Sequence, residues 1–430
     1  MKKILVAGAG HGGLVAAGCL ARAGYNVEVV EKLGREELGY DWTDIFELSS
    51  FDFAGIPRPP ESEYTLKEQM TFINPSRTVF LNPRKPANHF EYKMERKDIY
   101  KHLLRFAEDG GAILRFGINI DGPLVENGKV SGIRTSAGDM RCGLVIDACG
   151  LDSPVRSNLP EGYHILKKFA EGQRFYTYRA FFARKPGDVK YKYKIYFYHN
   201  GEAGISWAAT EEKYIDILIG RFTPVTQDIM DRALEDLRED NPLMTRERIR
   251  GGYGAMISVR KPLPLFVGNG YAAVGDSAGM TIPIIGSGIA NSIIAGKILA
   301  DTVAKNGDFS INNLWNYQKA YLDARGAGHA GLDAMKELLS GVRAKDMDFM
   351  MERRIITEKD LGRAGAGGEI RMPLSDILGR AIRGLKNFPV LMKVARAAGR
   401  SKKLTAAALA APRTYDADAV SAWMDVYSRI

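Results

Sequence analysis

The first 31 residues constrain the fold of this chain more than any other stretch. Residues 4–7 form an apolar run typical of a buried parallel strand, and the glycine-rich sequence GAGHGG follows it directly. Residues 14–23 have the pattern of a helix, and a second apolar run at residues 26–30 ends on an acidic residue. The order strand, glycine-rich turn, helix, strand and acid predicts that the chain opens with a parallel α/β unit.

The glycines match G-x-G-x-x-G, and each has its own physical task. Gly8 permits the tight turn, Gly10 lets a pyrophosphate approach the backbone, and Gly13 lets the helix pack closely on the strand. The helix N-terminus offers unpaired N–H groups and a partial positive charge to the phosphates. Glu31 can accept hydrogen bonds from a ribose, and Lys32 is assigned to the same site. The motif predicts dinucleotide binding and leaves FAD and NAD undistinguished; the alternative is an ordinary glycine-rich turn without a ligand.

A second glycine-rich segment decides between the two dinucleotides. Residues 266–267, a Gly-Asn-Gly turn and residues 271–274 predict a hairpin-like return that ends on Gly-Asp. A proline and a Gly-Ser-Gly sequence then precede a predicted helix over residues 289–304. An aspartate at the carboxyl end of a strand can bind a ribityl hydroxyl, and glycines at a helix N-terminus expose N–H groups to a ring edge that gains negative charge on reduction. FAD is therefore predicted, and the residues assigned to it here are Gly275, Asp276, Pro283, Gly286 and Gly288.

The two segments resemble the FAD fingerprints of the p-hydroxybenzoate-hydroxylase-like flavoproteins. Arg96, at the start of a predicted helix, resembles an arginine that this superfamily places near FAD. Within the superfamily, the stretch VGDSAGMTIPIIGSGIANSIIAG at residues 274–296 resembles the geranylgeranyl reductase family. The sequence DACG at residues 147–150, followed by Ser153 and Arg156, is also similar to that family.

The resemblance implies a mixed α/β fold with a Rossmann-like FAD-binding domain, an inserted β-meander, an antiparallel-sheet substrate domain and a helical C-terminal region. We expect the FAD-binding domain over residues 1–164 and 261–305, with part of residues 33–92 on the substrate side. The substrate sheet is expected within residues 165–260, and the helical region within residues 306–430.

The predicted substrate sheet has four strands, over residues 175–183, 190–199, 203–209 and 214–222. Residues 251–264 are expected only to lead the chain back to the first domain. The aromatic content of these strands fits either the lining of an apolar substrate cavity or a sheet with an aromatic core. No catalytic residue is predicted. Three residues of the sheet are candidates for a proton donor only because they lie in it: Tyr196, Tyr198 and His199.

The resemblance implies an FAD-dependent oxidoreductase, of the reductase type that passes hydride from reduced FAD to a C=C bond of an apolar, isoprenoid-lipid-like substrate. NAD(P)H and ferredoxin are the candidate electron donors. The alternatives are a flavin monooxygenase or hydroxylase of an aromatic or polyketide-like substrate, and an FAD-binding protein without turnover. Two departures bear on this choice. Only Trp207 matches the reductases' usual Tyr-x-Trp-x-Phe-Pro motif, and Cys149 stands where aromatic hydroxylases usually have aspartate.

The net charge of +9 is concentrated near the C-terminus. Residues 371–403 contain nine basic residues and one acidic residue, so the rest of the chain is close to balance. This distribution argues against a general nucleic-acid binder. The basic stretch is either a peripheral contact with an anionic membrane or a solvated face of the helical region.

The remaining sequence signals are mostly negative. Three cysteines and six histidines without a cluster predict neither a disulfide framework nor a metal site. Apolar runs long enough for a membrane-spanning helix are lacking, and Met1 lies too close to the first strand for a signal peptide. We therefore expect a cytoplasmic protein, with peripheral association at a membrane surface as an option. The apolar small molecule or lipid is the expected partner, and the oligomeric state is not predicted.

Overall fold

The computed structural model describes residues 2–84, 89–365 and 374–430. The strands, in chain order, are β1 Lys3–Ala7, β2 Asn26–Val30, β3 Thr43–Phe46, β4 Tyr64–Leu66, β5 Met70–Ile73, β6 Phe80–Leu81, β7 Tyr92–Glu95, β8 Ile113–Arg115, β9 Ile120–Glu126, β10 Lys129–Thr135, β11 Gly138–Arg141, β12 Leu144–Asp147, β13 Arg174–Arg184, β14 Tyr193–Phe197, β15 Gly204–Thr210, β16 Tyr214–Arg221, β17 Met244–Ser258, β18 Val267–Gly268 and β19 Tyr271–Ala273.

The helices alternate with these strands at first and then dominate the C-terminal third. They are α1 His11–Arg22, α2 Ser49–Ala54, α3 Arg96–Asp109, α4 Pro154–Ser157, α5 Gln227–Asp240, α6 Ile289–Asn306, α7 Ile311–Tyr321, α8 Ala327–Gly341, α9 Ala344–Glu352, α10 Glu358–Gly365, α11 Leu374–Gly384, α12 Phe388–Leu409 and α13 Ala417–Arg429.

The first sheet brings the two glycine-rich segments to one edge. Its order is β18-β19-β12-β1-β2-β8, and β1, β2, β8, β12 and β19 all run parallel. The apolar residues of β1 are fully buried, as expected for a parallel strand covered on both faces. Because β1 and β19 flank β12, the segments that follow them leave the sheet at neighbouring carboxyl ends. The mixed α/β fold that the sequence predicted is confirmed.

The β-meander is a separate three-stranded antiparallel sheet in the order β11-β10-β9. It lies between β8 and β12 in the chain, where the sequence predicted an insertion. Val130 and Ile133 of β10 are fully buried against the main core, so the insertion is packed and not free in solvent.

The second sheet has the order β17-β13-β16-β15-β14-β5-β6. The four predicted strands correspond to β13, β14, β15 and β16. Two further contributions come from outside them: β5 and β6 supply one edge, and the 15-residue strand β17 supplies the other. Since β5 pairs parallel to β14, the sheet is mixed and not wholly antiparallel. Helix α5 covers one face through Ala233 and Leu237.

The C-terminal helices form a bundle that is attached to both sheets. Helix α8 packs along α12, and Trp315 of α7 meets Trp423 of α13 with ring centroids 5.8 Å apart. The Tyr427 hydroxyl donates to the carbonyl oxygen of Pro262 at 3.1 Å, which ties α13 to the segment between the sheets. Within the described residues, none of the helices combines the length and apolar character needed to cross a bilayer.

Candidate functional site

A cavity of about 630 Å³ lies at the carboxyl edge of the first sheet, and residues of both glycine-rich segments line it. This volume falls within the range of small-molecule and cofactor sites. The predicted residues on its wall are Gly8, Gly10, Glu31, Lys32, Arg96, Gly275, Asp276, Gly286 and Gly288. Gly13 and Pro283 are not on the wall.

The first segment is a turn with no room for a side chain at Gly8 or Gly10. Gly8 has φ +87°, and a Cβ at either Gly8 or Gly10 would lie 2.7 Å from the carbonyl oxygen of Ala148. Gly13 faces away from the cavity, where a Cβ would lie 2.6 Å from the Ala148 Cβ atom. The first two glycines therefore expose backbone to the cavity, while the third sets how closely α1 approaches the end of β12.

Glu31 is held rigidly at the far side of this turn. Its two carboxylate oxygens accept hydrogen bonds from the backbone N–H groups of Ala9 at 2.8 Å and Leu33 at 3.0 Å, and the residue is only 8% exposed. Each carboxylate oxygen can accept a second hydrogen bond. The carboxylate is therefore positioned to receive hydroxyl donors such as those of a ribose.

Arg96 forms the side wall between the two segments. Its Nε and Nη2 atoms donate to the two carboxylate oxygens of Asp44, both at 2.7 Å, and Nη1 donates to the Tyr40 hydroxyl at 2.6 Å. The guanidinium also lies 4.5 Å from the centroid of the Tyr40 ring. The bidentate pair fixes the plane of the guanidinium, which makes Arg96 a preorganised group of the wall.

His11 is a cavity residue that the sequence did not assign to the site. Its ring lies 4.8 Å from the Tyr100 ring, and its Nε2 atom is buried without a hydrogen-bond partner among the described residues. Burial lowers the pKa of His11 to about 4, and the positive charge of Arg96 acts in the same direction. The imidazole is therefore neutral at neutral pH.

Asp276 of the second segment is oriented by two hydroxyl groups. Its Oδ1 atom accepts from Thr281 Oγ1 at 2.5 Å and from Ser258 Oγ at 3.2 Å. Burial raises the pKa of Asp276 above its ordinary value. Gly288 is needed beside them, because a Cβ there would lie 2.7 Å from Thr281 Oγ1. Ser258 and Thr281 were missed in the sequence because nothing local marks them.

Asp147, in the stretch DACG, acts below the cavity and not on its wall. The fully buried carboxylate accepts from Ser153 Oγ at 2.5 Å, Tyr271 OH at 2.9 Å and Ser277 Oγ at 3.1 Å. These bonds join β12, β19 and the Gly275–Ala278 turn. The Cys149 thiol, which does lie on the cavity wall, donates to the Ala7 carbonyl oxygen at 3.2 Å, and burial raises its pKa well above the ordinary value.

The weak proton-donor candidates of the second sheet do not line the cavity. The Tyr196 hydroxyl donates to Asp240, and the Tyr198 hydroxyl bonds the carbonyl oxygen of Leu339 at 2.6 Å. His199 lies between Asp236 and Ser206, and burial lowers its pKa to about 4. Each group is engaged in holding helices to the sheet.

No protein-family model matches the chain. Curated relatives cover nearly all of it. The digeranylgeranylglycerophospholipid reductase of Sulfolobus acidocaldarius is 25% identical over 434 residues, which is 96% of this chain and 93% of that protein. The enzyme of the same name from Methanothrix thermoacetophila is 24% identical and covers 86% of this chain and 95% of its own length.

Solved structures show the same fold. A geranylgeranyl bacteriochlorophyll reductase-like protein from Thermoplasma acidophilum superimposes with a TM-score of 0.72 at 22% identity, covering 92% of this chain and 99% of its own. PqsL, a probable FAD-dependent monooxygenase from Pseudomonas aeruginosa, gives 0.57 at 17% identity, covering 79% and 96%. The resemblance to the geranylgeranyl reductase family is thereby confirmed: the chain is a homologue of the digeranylgeranylglycerophospholipid reductases and has the fold of the FAD-dependent oxidoreductases.

Proposed function

We propose that this chain is an FAD-dependent reductase that saturates a C=C bond in an apolar, isoprenoid-lipid-like substrate. The observation that carries the proposal is the single cavity into which both glycine-rich segments open. It joins an acidic anchor at Glu31, a helix N-terminus at α1 and a second acid and helix N-terminus at Asp276 and α6. This is the order of groups that an extended dinucleotide requires.

The residues on the cavity wall fit FAD. The Glu31 carboxylate would bind the adenosine ribose, and the N–H groups at the start of α1 would bind the pyrophosphate. Asp276 would bind a ribityl hydroxyl, with Gly286 and Gly288 exposing backbone N–H groups to the ring edge. FAD supplies the hydride-transfer chemistry when bound, and the polypeptide supplies binding, orientation and electrostatics. Arg96 adds a fixed positive charge between the two segments.

The reductase assignment is supported by the named activity of the curated relatives, whose similarity extends over almost the whole chain. We further propose the second sheet as the substrate side, with residues 165–260 joined by β5 and β6. The electron donor is proposed to be NAD(P)H or ferredoxin, and the rate of anaerobic flavin reduction by each would identify it.

We also propose that the protein meets its substrate at a membrane surface. The basic stretch predicted for this contact spans residues 371–403, of which residues 371–373 lie outside the described residues. Helix α12 carries most of the remainder. Four of its cations, Lys393, Arg396, Lys402 and Lys403, are exposed, which is the arrangement that attraction to an anionic surface requires.

A flavin monooxygenase acting on an aromatic or polyketide-like substrate is the second candidate. The fold shared with PqsL favours it, although that superposition covers less of the chain than the one with the Thermoplasma protein. An FAD-binding protein without turnover is the remaining candidate.

One set of experiments separates the three functions. The reductase should reoxidise anaerobically when the photoreduced holoprotein is mixed with a polyprenyl lipid, and it should not do so with the matched fully saturated lipid. Oxygen consumption driven by NADPH and stimulated by a phenolic compound would instead identify a monooxygenase. A colourless protein that cannot be reconstituted with FAD would refute both enzymatic functions.

A further inference from the structure

Three large apolar side chains are left in solvent where α11 joins α12. Ile382 is 63% exposed, Leu385 is 62% exposed and Phe388 is 57% exposed. They recur at every third residue, and we refer to residues 382–388 as the elbow. Single exposed apolar residues need no explanation, but a cluster with polar surroundings marks an interaction site.

The surface that continues from the elbow is cationic. The sequence contains no acidic residue from position 377 to position 415. Two of its basic residues are tied down, because Arg380 pairs with Asp360 and Arg400 pairs with Glu337. The exposed cations of this stretch that form no ion pair with a described residue are Arg383, Lys386, Lys393, Arg396, Lys402, Lys403 and Arg413.

The exposed apolar side chains and the cationic surface together favour one kind of binding partner. A second copy of the chain on the same face would bring two cationic surfaces together, which is unfavourable. A bilayer with anionic lipid meets both requirements, since its headgroups attract the cations and its acyl boundary receives the apolar side chains. An acidic protein partner would meet the charge requirement alone.

A narrow apolar cavity lies between the same helices and the second glycine-rich segment. Ile284, between Pro283 and Gly286, forms one wall, and Val394 of α12 forms another. The remaining apolar lining comes from the second sheet, α8 and the segment around α10, and the ion pair of Arg380 with Asp360 also borders the cavity. The helices that carry the elbow therefore also border an apolar space beside the second glycine-rich segment.

We propose that the elbow inserts into the surface of a bilayer containing anionic lipid and opens the narrow cavity toward it, so that an acyl or prenyl chain enters between α12 and the second segment. The identity of the chain that enters rests on the proposed function. Insertion of the elbow rests only on the exposed side chains and the charge of α12.

Vesicle flotation tests the insertion. The FAD-loaded protein should float with vesicles of phosphatidylcholine and phosphatidylglycerol in equal parts, and less with phosphatidylcholine alone. The triple variant K386Q/K393Q/R396Q should bind the mixed vesicles about a hundredfold more weakly. The variant I382S/L385S/F388S should lose binding to both vesicle types. Phe53→Ser and Lys101→Gln, which change an equally exposed phenylalanine and an exposed lysine elsewhere, should bind as the wild type.

The depth of insertion supplies a second measurement. A tryptophan placed by Phe388→Trp should be quenched by brominated acyl chains, whereas one placed by Phe53→Trp should not. Unchanged flotation of both triple variants, or equal quenching at the two positions, would overturn the proposal. The proposal would also be overturned if the wild type did not bind vesicles and instead formed a dimer, or a complex with an acidic protein, that the elbow substitutions disrupted.

Activity toward a substrate presented in detergent and in vesicles separates this proposal from the proposed function. The elbow variants should reduce a detergent-dispersed polyprenyl substrate at the wild-type rate but lose activity toward the same substrate embedded in vesicles. If the wild-type protein floated with vesicles but did not reduce the detergent-dispersed polyprenyl substrate, the reductase function would be refuted and the membrane contact would remain supported.

Discussion

Gly12 of α1 and Gly296 of α6 lie backbone to backbone where the two helices cross. A Cβ on Gly296 would lie 2.2 Å from the carbonyl oxygen of Gly12, and a Cβ on Gly12 would lie 2.4 Å from the carbonyl oxygen of Ser292. Helix α1 begins at the first glycine-rich segment, and α6 begins at the second. The contact therefore sets the separation of the two segments and, with it, the length of the cavity between them.

Substitution at this crossing should damage both stability and cofactor binding. We expect Gly296→Ala to lower the free energy of unfolding by about 1–3 kcal/mol, because the added methyl group must push two helices apart. FAD affinity, measured by fluorescence titration, should fall with it. Gly399→Ala is the matched control, since Gly399 lies in α12 with open space around its Cβ position. The control should be neutral or stabilising by up to about 1 kcal/mol, and equal losses in both variants would contradict the role of the crossing.

The Arg96–Asp44 pair should matter for FAD binding beyond its structural role. Arg96→Gln leaves the buried Asp44 carboxylate without its counter-charge and should lower the free energy of unfolding by about 3–5 kcal/mol. The double variant D44N/R96Q should regain stability in urea unfolding, yet still bind FAD weakly because the cation is missing. Arg105→Gln changes an arginine of the same helix whose side chain is 81% exposed, and it should have no effect. Restored FAD affinity in the double variant would show that Arg96 acts only structurally.

Asp276 should contribute through hydrogen bonding to the ligand. We expect Asp276→Ala to weaken FAD binding by about ten- to a hundredfold, the range for losing a hydrogen bond to a charged group. Because burial raises the pKa of Asp276, removing its carboxylate should leave the ligand-free protein no less stable at neutral pH. Asp301→Asn, an exposed position on α6, serves as the control in the titration. A loss of ligand-free stability equal to the loss in binding energy would argue for a purely structural carboxylate.

Stability should fall in mild acid because buried histidines stay neutral in the folded chain. Burial and the charge of Arg325 lower the pKa of His329 from 6.5 to about 3. Below pH 6.5 the His329 imidazole is therefore protonated in the unfolded chain but stays neutral in the folded chain. Through His329 alone, the free energy of unfolding should fall by about 2 kcal/mol between pH 7 and pH 5.

Urea unfolding across this pH range measures the effect. His329→Leu should show a shallower fall in the free energy of unfolding than the wild type, whereas His164→Asn, at an exposed position, should follow the wild-type curve. Parallel curves for the wild type and the His329 variant would contradict the assignment.

Sequence reasoning located both ends of the cavity and Arg96 on its side wall, but not the other side chains around Asp276 and the first turn. Gly8, Gly10 and Glu31 were found because their tasks require fixed spacings within a short segment. Ser258 and Thr281 escaped assignment because a single hydroxyl has no periodicity that marks it, and His11 was recognised only as a member of the first glycine-rich turn. They acquire a role only when β17, the second segment and α3 are brought together.

The substrate sheet was the least predictable part. Residues 251–264, which include the second half of β17, were expected only to lead the chain back. The sequence of β17 contains three arginines and three glycines, which interrupt the alternation of polar and apolar residues. It forms because β13 presents an open edge to it along most of its length. The extended conformation of β17 is therefore stabilised by pairing with β13 and is not encoded by a local sequence pattern.

The sequence by itself determined the opening α/β unit, the two glycine-rich segments and the charge of the C-terminal region, because each depends on residues close together in the chain. Only the tertiary structure decided that both segments share one cavity, that Asp147 ties their supporting strands together, and that the exposed elbow and the narrow cavity belong to the same pair of helices. These relationships join residues that are far apart in the chain. The distances between such residues are set by the packing of α1 on α6 and by the pairing of β12 with β1 and β19, and no local sequence pattern encodes them.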